Sequence, residues 1–462
     1  MINKLTFLKN ALLALLFVSL FSFEASAQQW DTVGVAGFSN GTVLHQSLDV
    51  HNDTAYVAYR DASNQNKLSV QMYDGSSWVD VGGQNISAGA VGAIDLLVVG
   101  KDHIYVAYVD GANSDGITLK RYNGTSWNPS APTLMPGFST GNLGSPALAY
   151  DLTEGIHIAY DDIDNSTPNS IFVDVKVQKV ASGNWISLGS AGSGNFVPGT
   201  VGRPSMKFNS NGSPFIAYEN DDLIVNRYTG SAWTSIASGS ISSGFISGAD
   251  LEIGSNGQIY VAFQDQANGN KTTVVKYVNS SWSVVGAVGL TTASAINPDL
   301  ALDNNDNPYV AQLEGSGNKD VTVYKFNGTS WTDVGTGTTA AYGNLNHNVS
   351  ANLEINNNVM YLSFADENQK STVMKYELTT NINQIPTLNK DITIYPNPTK
   401  GQLSIEGVEG IESIRILTMD GKVMETITTS SNTISVETLP QGVYTIEVIT
   451  TEGTGYKNFV KQ

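Results

Sequence analysis

Two sets of side chains in this sequence are spaced as chemistry would need them. The first is a row of carboxylates: Asp61, Asp110, Asp162, Asp265, Glu314 and Asp366, each two residues after an aromatic or its equivalent, with Asn220 in the remaining slot. Gathered around one opening, they would suit a cation or a polar ligand. One acidic residue per repeat is also what a turn cap writes, because Asp opens polar turns and accepts from backbone N–H groups. The second set is His45, Arg60, Tyr342 and His347. His, Tyr and Arg are the groups with which a polysaccharide lyase neutralises a uronate and moves its α-proton. No motif joins these four, so no catalytic residue is assigned, and histidines in polar surface loops are the plainer reading.

The elements that position these residues come from a repeat. The tryptophans are Trp30, Trp78, Trp127, Trp185, Trp233, Trp282 and Trp331, separated by 48, 49, 58, 48, 49 and 49 residues. YDGSSWVDVG (73–82) and FNGTSWTDVG (326–335) are near copies of one unit. A period of 40–50 residues marks a propeller or a solenoid. Each unit reads as a short Trp strand, a Gly/Ser-rich loop, and a strand such as SLDV (47–50), DLEI (250–253) or LALD (300–303). A tight Asn/Asp/Gly turn, a strand such as AYVAY (55–59), a polar loop and a strand such as VTVYKF (321–326) complete it. Four antiparallel strands repeated radially make a propeller blade. Trp30 opens with an orphan strand and TVMKY (372–376) ends without a Trp. The spacing therefore predicts an all-β, seven-bladed β-propeller over 28–378, closed by residues 30–36 beside 372–378.

Antiparallel order sends the loop entering strand one and the loop leaving strand two to one face. The carboxylate row, His45, Arg60 and His347 are expected there, with blades one and seven adjacent. A basic row, Arg121, Lys179, Arg227, Lys276, Lys325 and Lys375, is expected toward the other face. The tryptophans read as packing between blades, with a ring of sugar-stacking platforms as the sharper alternative. A sialidase is excluded. The hairpin lacks the Ser-x-Asp of an Asp-box, and Arg60, Arg121, Arg203 and Arg227 divide between the two faces instead of clustering.

Composition agrees with an all-β chain. Charged residues are 14% of 462, glycines number 45, and the hydrophobic share is 41%. A net charge of −18 repels phosphate backbones, so nucleic acid is not an expected partner. Cysteine is absent, which removes disulfides and thiolate metal sites. Residues 1–27 read as a signal peptide, with Lys4 and Lys9, an apolar run at 11–23 and Ala25-Ser26-Ala27 for cleavage after Ala27. No other apolar run nears the ~20 residues of a membrane span, so the mature chain is expected to have none.

From 379 the repeat stops. TTNINQIPTLNK (379–390) reads as a linker, and 391–462 as a small Ig-like β-sandwich with alternating strands such as QLSIEG, SIRILTM and VYTIEVI. Tyr395-Pro396-Asn397-Pro398 opens it and Gly401 follows. Asp420-Gly421-Lys422 marks a hairpin, and Leu439-Pro440-x-Gly442-x-Tyr444 precedes the penultimate strand. This set resembles the C-terminal sorting domain of type IX secretion cargo from Bacteroidota. The resemblance implies the type IX machinery as partner, and a final location outside the cell or on the outer-membrane surface.

The sequence thus reads as a secreted or surface binding and adhesion propeller for glycans or surface polymers, a monomer without cofactor. A polysaccharide lyase with its site near His45, Arg60 and His347 is the alternative, and a protein-binding scaffold the third reading. A cation on the acidic face has no support in the sequence.

Overall fold

The computed structural model describes residues 30–129, 145–164, 172–181, 184–195, 204–220, 222–236, 241–242, 244–315, 320–334, 350–378, 392–418, 423–428, 431–450 and 453–462. The expected signal peptide, the linker, Tyr342, His347 and Gly421 lie outside these residues, as does the side chain of Asp162. The chain divides into two compact units, Met1–Leu378 and Thr379–Gln462. Among the described residues no helix is long and apolar enough to cross a membrane.

In the first unit the described residues form seven four-stranded antiparallel sheets. Six use consecutive strands, the first being Val43–His51, Thr54–Asp61, Lys67–Tyr73 and Trp78–Asp80. The seventh joins Asn352–Asn356, Val359–Ala365 and Ser371–Glu377 to the distant Asp31–Thr32. Asp31 pairs with Lys375 and Thr32 with Met374, and Val33 N donates to Val373 O at 2.9 Å. The first strands of the sheets touch in chain order, and that of the seventh touches that of the first. The sheets therefore close a ring.

Each part of the repeated decapeptide has a local cause. In YDGSSW, Asp74 Oδ1 accepts from Ser76 N and Ser77 N, both at 2.8 Å. Asn123 and Asn327 do the same in their copies. Gly75 takes φ +97° with open space around it, so the turn needs glycine for its backbone angle alone. The closing Val-Gly receives the tryptophan of the next sheet. Trp127 Nε1 donates to Val81 O at 2.7 Å, and Trp78, Trp331 and Trp30 donate likewise to Val33 O, Val285 O and Val334 O. A Cβ on Gly82 would sit 2.6 Å from the Trp127 ring. Where this bond forms, the repeat writes both halves of an inter-sheet joint.

Closure by the N-terminal strand gives a direct test. A mature chain lacking residues 28–39 loses the Asp31–Thr32 pairing, the Trp30 indole bond and the bond from Phe38 N to Ser371 O. It replaces the two-residue edge strand Asp31–Thr32 with the exposed seven-residue strand Ser371–Glu377. The expected result is a lower melting temperature and self-association on size exclusion. An unchanged melt and a monomeric profile would show that the ring does not need this strand.

The second unit holds a three-stranded sheet (Thr393–Tyr395, Gln402–Glu406, Thr433–Ser435) and a four-stranded one (Val423–Thr428, Ile411–Thr418, Gly442–Thr450, Gly453–Lys461). Its own core includes Leu403, Ile414, Ile446 and Phe459. The motif residues serve this packing. Asn397 Oδ1 accepts from Val460 N at 2.9 Å, and its Nδ2 donates to Asn458 O at 3.0 Å. Pro396 and Pro398, on either side of it, both follow cis peptide bonds. The Tyr395 hydroxyl donates to Glu406 Oε1 at 2.5 Å. A Cβ on Gly401 would lie 2.8 Å from Glu437 Cγ. Leu439 is buried, and Tyr444 donates to Pro440 O at 3.0 Å across Gly442.

Candidate functional site

The seven first strands surround a cavity of about 610 Å³, and every one of them contributes to its lining. Each of these strands carries a buried apolar residue paired to the second strand: Leu48, Leu96, Leu148, Met206, Leu251, Leu300 and Leu353. Side chains alternate along a strand, so the residues just before and just after this anchor share the opposite side. Those before it are Ser47, Asp95, Ala147, Ser205, Asp250, Asp299 and Asn352; those after it are Asp49, Leu97, Ala149, Lys207, Glu252, Ala301 and Glu354. Asp161, on the second strand of the third sheet, also lines the cavity, so seven carboxylates and one ammonium face one space.

Part of this wall is a belt of hydrogen bonds between sheets. Leu96 N donates to Ser47 Oγ at 3.1 Å, Leu148 N to Asp95 Oδ2 at 2.6 Å, Leu251 N to Ser205 Oγ at 3.0 Å, and Leu300 N to Asp250 Oδ2 at 2.7 Å. Asp49 Oδ2 accepts from Val98 N at 2.5 Å. Asn352 Nδ2 donates to Asp299 Oδ2 at 3.2 Å. Lys207 Nζ lies 2.5 Å from Glu252 Oε1, with 39% and 22% of the two side chains exposed.

Protein crowds these groups from every side, and the loss of water around a carboxylate disfavours its charged form. Burial pushes Asp49 up to about 7 and Asp95 to about 6, against amide bonds from Val98 and Leu148 that pull the other way. Burial also holds Asp299 and Glu354 well above the carboxylate range, and raises Glu252. Burial alone would lower Lys207, but Glu252, Glu354 and Asp250 outweigh it and raise this lysine well above its ordinary value.

The carboxylates singled out from the sequence sit elsewhere. Asp61 accepts from Ser63 N at 2.9 Å and Ser63 Oγ at 2.6 Å, and from Ser69 Oγ at 3.3 Å. Asp110 accepts from Ala112 N and Thr118 Oγ1, and Asp265 from Asn268 Nδ2 and Thr273 Oγ1. Asp366 takes Asn368 N, Lys370 N and Thr372 Oγ1. Glu314 accepts from Thr292 N, Ala293 N, Thr322 Oγ1 and Tyr324 Oη, and these bonds hold its pKa down against its burial. Asp61, Asp110, Asp265 and Glu314 are buried; the bonds of the three aspartates fasten the loop after strand two to strand three, and those of Glu314 fasten the loop entering strand one to strand three. The backbone of Asp162 lies in the second strand of the third sheet. Among the described residues no group of three or more His, Asp or Glu is arranged to hold a metal ion.

His45 lines the cavity. It lies in a bulge, where Val43 pairs with Asp61 and Gln46 with Tyr59, so residues 44–45 stand opposite Arg60. The same irregularity recurs at 92–93, 248–249 and 297–298, and bulges re-aim side chains at sheet rims. In the basic row, Lys179 pairs with Glu154, and Lys325 Nζ lies 5.1 Å from the centre of the Tyr309 ring. The cavity carboxylates are not marked by any motif in the sequence, although SLDV and DLEI read as strands. The available signal was a charged residue beside a core Leu on strand one, recurring in most repeats.

No curated protein matches the chain in sequence. Among solved structures, a puromycin-hydrolysing peptidase of Mycobacterium tuberculosis is similar in fold, at TM-score 0.50 and 10% identity, over 82% of this chain and 60% of that one. The polysaccharide lyase Uly1 gives 0.46 and 12%, over 78% and 94%. The Aleuria aurantia lectin bound to Fucα1-6GlcNAc gives 0.43 and 17%, over 67% and 100%. Residues 393–462 match the family model described as "Secretion system C-terminal sorting domain". The second unit, with its Tyr395–Pro398 opening and its Leu439–Tyr444 turn, is therefore a type IX secretion sorting domain, and it marks the chain as cargo exported to the medium or the cell surface.

Proposed function

We propose that residues 28–378 form a seven-bladed β-propeller that works outside the cell as a binding and adhesion module for a glycan or surface polymer. In this reading residues 1–27 are a signal peptide, 379–390 a linker and 391–462 an Ig-like sandwich that is the export label. The observation that carries the binding reading is the cavity of about 610 Å³ at the ring's centre, with polar side chains along its wall. Concave sites of this size with convergent polar groups are the usual form of ligand sites. The secretion tail supports a ligand met outside the cell. The mature chain is taken as a monomer, and the reading invokes no cofactor.

The acidic wall favours the binding reading over a uronate lyase. A lyase needs cationic groups around its substrate carboxylate, and here seven carboxylates face one lysine, itself paired with Glu252. Neutral or amino sugars suit this wall; uronates do not. The test is a glycan array probed with the full mature chain and with His45→Ala, beside a depolymerisation assay on uronate polymers. Binding to neutral or amino glycans is expected, weakened about five- to tenfold by His45→Ala, the worth of one hydrogen bond. Unsaturated uronate products would overturn the reading in favour of the lyase. A blank array would leave the protein-binding scaffold as the account of this unit.

A further inference from the structure

Lys207 is the one lysine or arginine among the residues lining the cavity. It occupies the slot after the buried anchor, which holds Asp49, Glu252 and Glu354 in other sheets. Its ammonium touches Glu252 of the neighbouring sheet, and its charge acts on Asp49, Asp95, Asp299 and Glu354 across the ring. The groups that face it come from the six other sheets. They are Asp49 and His45 from the first, Asp95 from the second, Asp161 from the third, Asp250 and Glu252 from the fifth, Asp299 from the sixth and Glu354 from the seventh.

We propose that Lys207 is the counter-ion of the ring's inner wall and makes closure of the ring pH-sensitive: acid discharges the carboxylates and tightens the fold, while at alkaline pH the closed ring depends on Lys207. The belt described above joins five of the seven pairs of neighbouring sheets through side chains on strand one, so charge repulsion along this wall acts on closure itself. The carboxylates that burial raises are protonated more readily when folded than when unfolded. Their contribution is most favourable below about pH 4 and is lost as pH rises through 6 to 7, the range of Asp95 and Asp49. Lys207 runs the other way: raised in the folded state, it contributes throughout this window and is lost only above its ordinary titration range. Removing its charge raises the carboxylates further, so the cost of removal grows with pH.

The experiment is thermal unfolding of the full mature chain and of Lys207→Met at about pH 5 and about pH 8. The difference between variant and parent cancels the general effect of a net charge of −18. The parent is expected to melt higher at pH 5. Lys207→Met should lose several degrees at pH 8 and little at pH 5. A second variant, Asp49→Asn, keeps an oxygen for the Val98 N–H but removes a charge that forms near pH 7, and should raise the pH 8 melt more than the pH 5 melt. It decides the matter if Lys207→Met does not fold. An equal loss at both pH values for Lys207→Met, or no pH-dependent gain for Asp49→Asn, would overturn the proposal and leave Lys207 a packing residue.

Discussion

A chain ending at residue 391 is expected to stay in the periplasm, with none in the medium or on the cell surface, and to keep its N-terminal unit folded. Residues 393–462 are the part matched by the sorting-domain family, so their loss removes the export label completely. The N-terminal unit has its own closed ring and its own apolar clusters, such as the one holding Val57, Tyr309 and Leu362. Deletion therefore costs it no core. Fractionation with immunoblotting checks the first half, and protease resistance of the periplasmic species checks the second. Normal secretion of the truncated chain would mean that the tail, whatever its family, is not the export label here.

Trp78→Ala carries the second large effect, a loss of about 3 kcal/mol of stability, the lower end of the range for truncating a large core aromatic because Trp78 is half-buried. Its indole lies flat on Phe38, with ring centres 3.9 Å apart and planes 8° from parallel. It also packs on Tyr73 and donates to Val33 O at 2.9 Å. Phe38 and Val33 belong to the segment that closes the ring, so Trp78 joins the first sheet to the seventh. Trp78→Phe keeps an aromatic ring there but loses the indole bond, and should cost nearer ~1 kcal/mol. At Trp282 the indole N–H has no partner among the described residues, and Trp282→Phe should cost less still. Chemical denaturation of the three variants measures the order. A stable Trp78→Ala chain with weakened glycan binding would instead mean that this ring is a stacking platform for sugars.

The repeat itself was legible because its devices are local. A hairpin needs Asp or Asn, then Gly, within four residues; a Val-Gly step and a Trp about 48 residues on form one joint between sheets. Both recur in several copies, so spacing alone leads to four strands per unit and to an N-terminal strand beside 372–378, which the structure pairs over residues 31–33. The sorting tail was legible for the same reason. Its Pro, Gly and Tyr positions serve bonds within a few residues of each other or across one sheet pair, as Tyr444 does with Pro440.

The candidate site was not legible in that way. Asp61 and its counterparts drew notice as a periodic acidic row, yet their oxygens are taken up by amides and hydroxyls close in sequence. The residues that do face a common cavity lie on strands about fifty residues apart and look ordinary singly: one Asp or Glu beside a core Leu on a half-exposed strand. Only closure of the ring brings Asp49, Asp95, Asp250, Glu252, Asp299 and Glu354 around one space with Lys207. Sequence by itself determined the strands, their pairing within each sheet and the export label, since these rest on short-range hydrogen bonding and apolar alternation. The tertiary structure alone decided where charge accumulates, because electrostatic repulsion depends on distances across the ring that no spacing along the chain encodes.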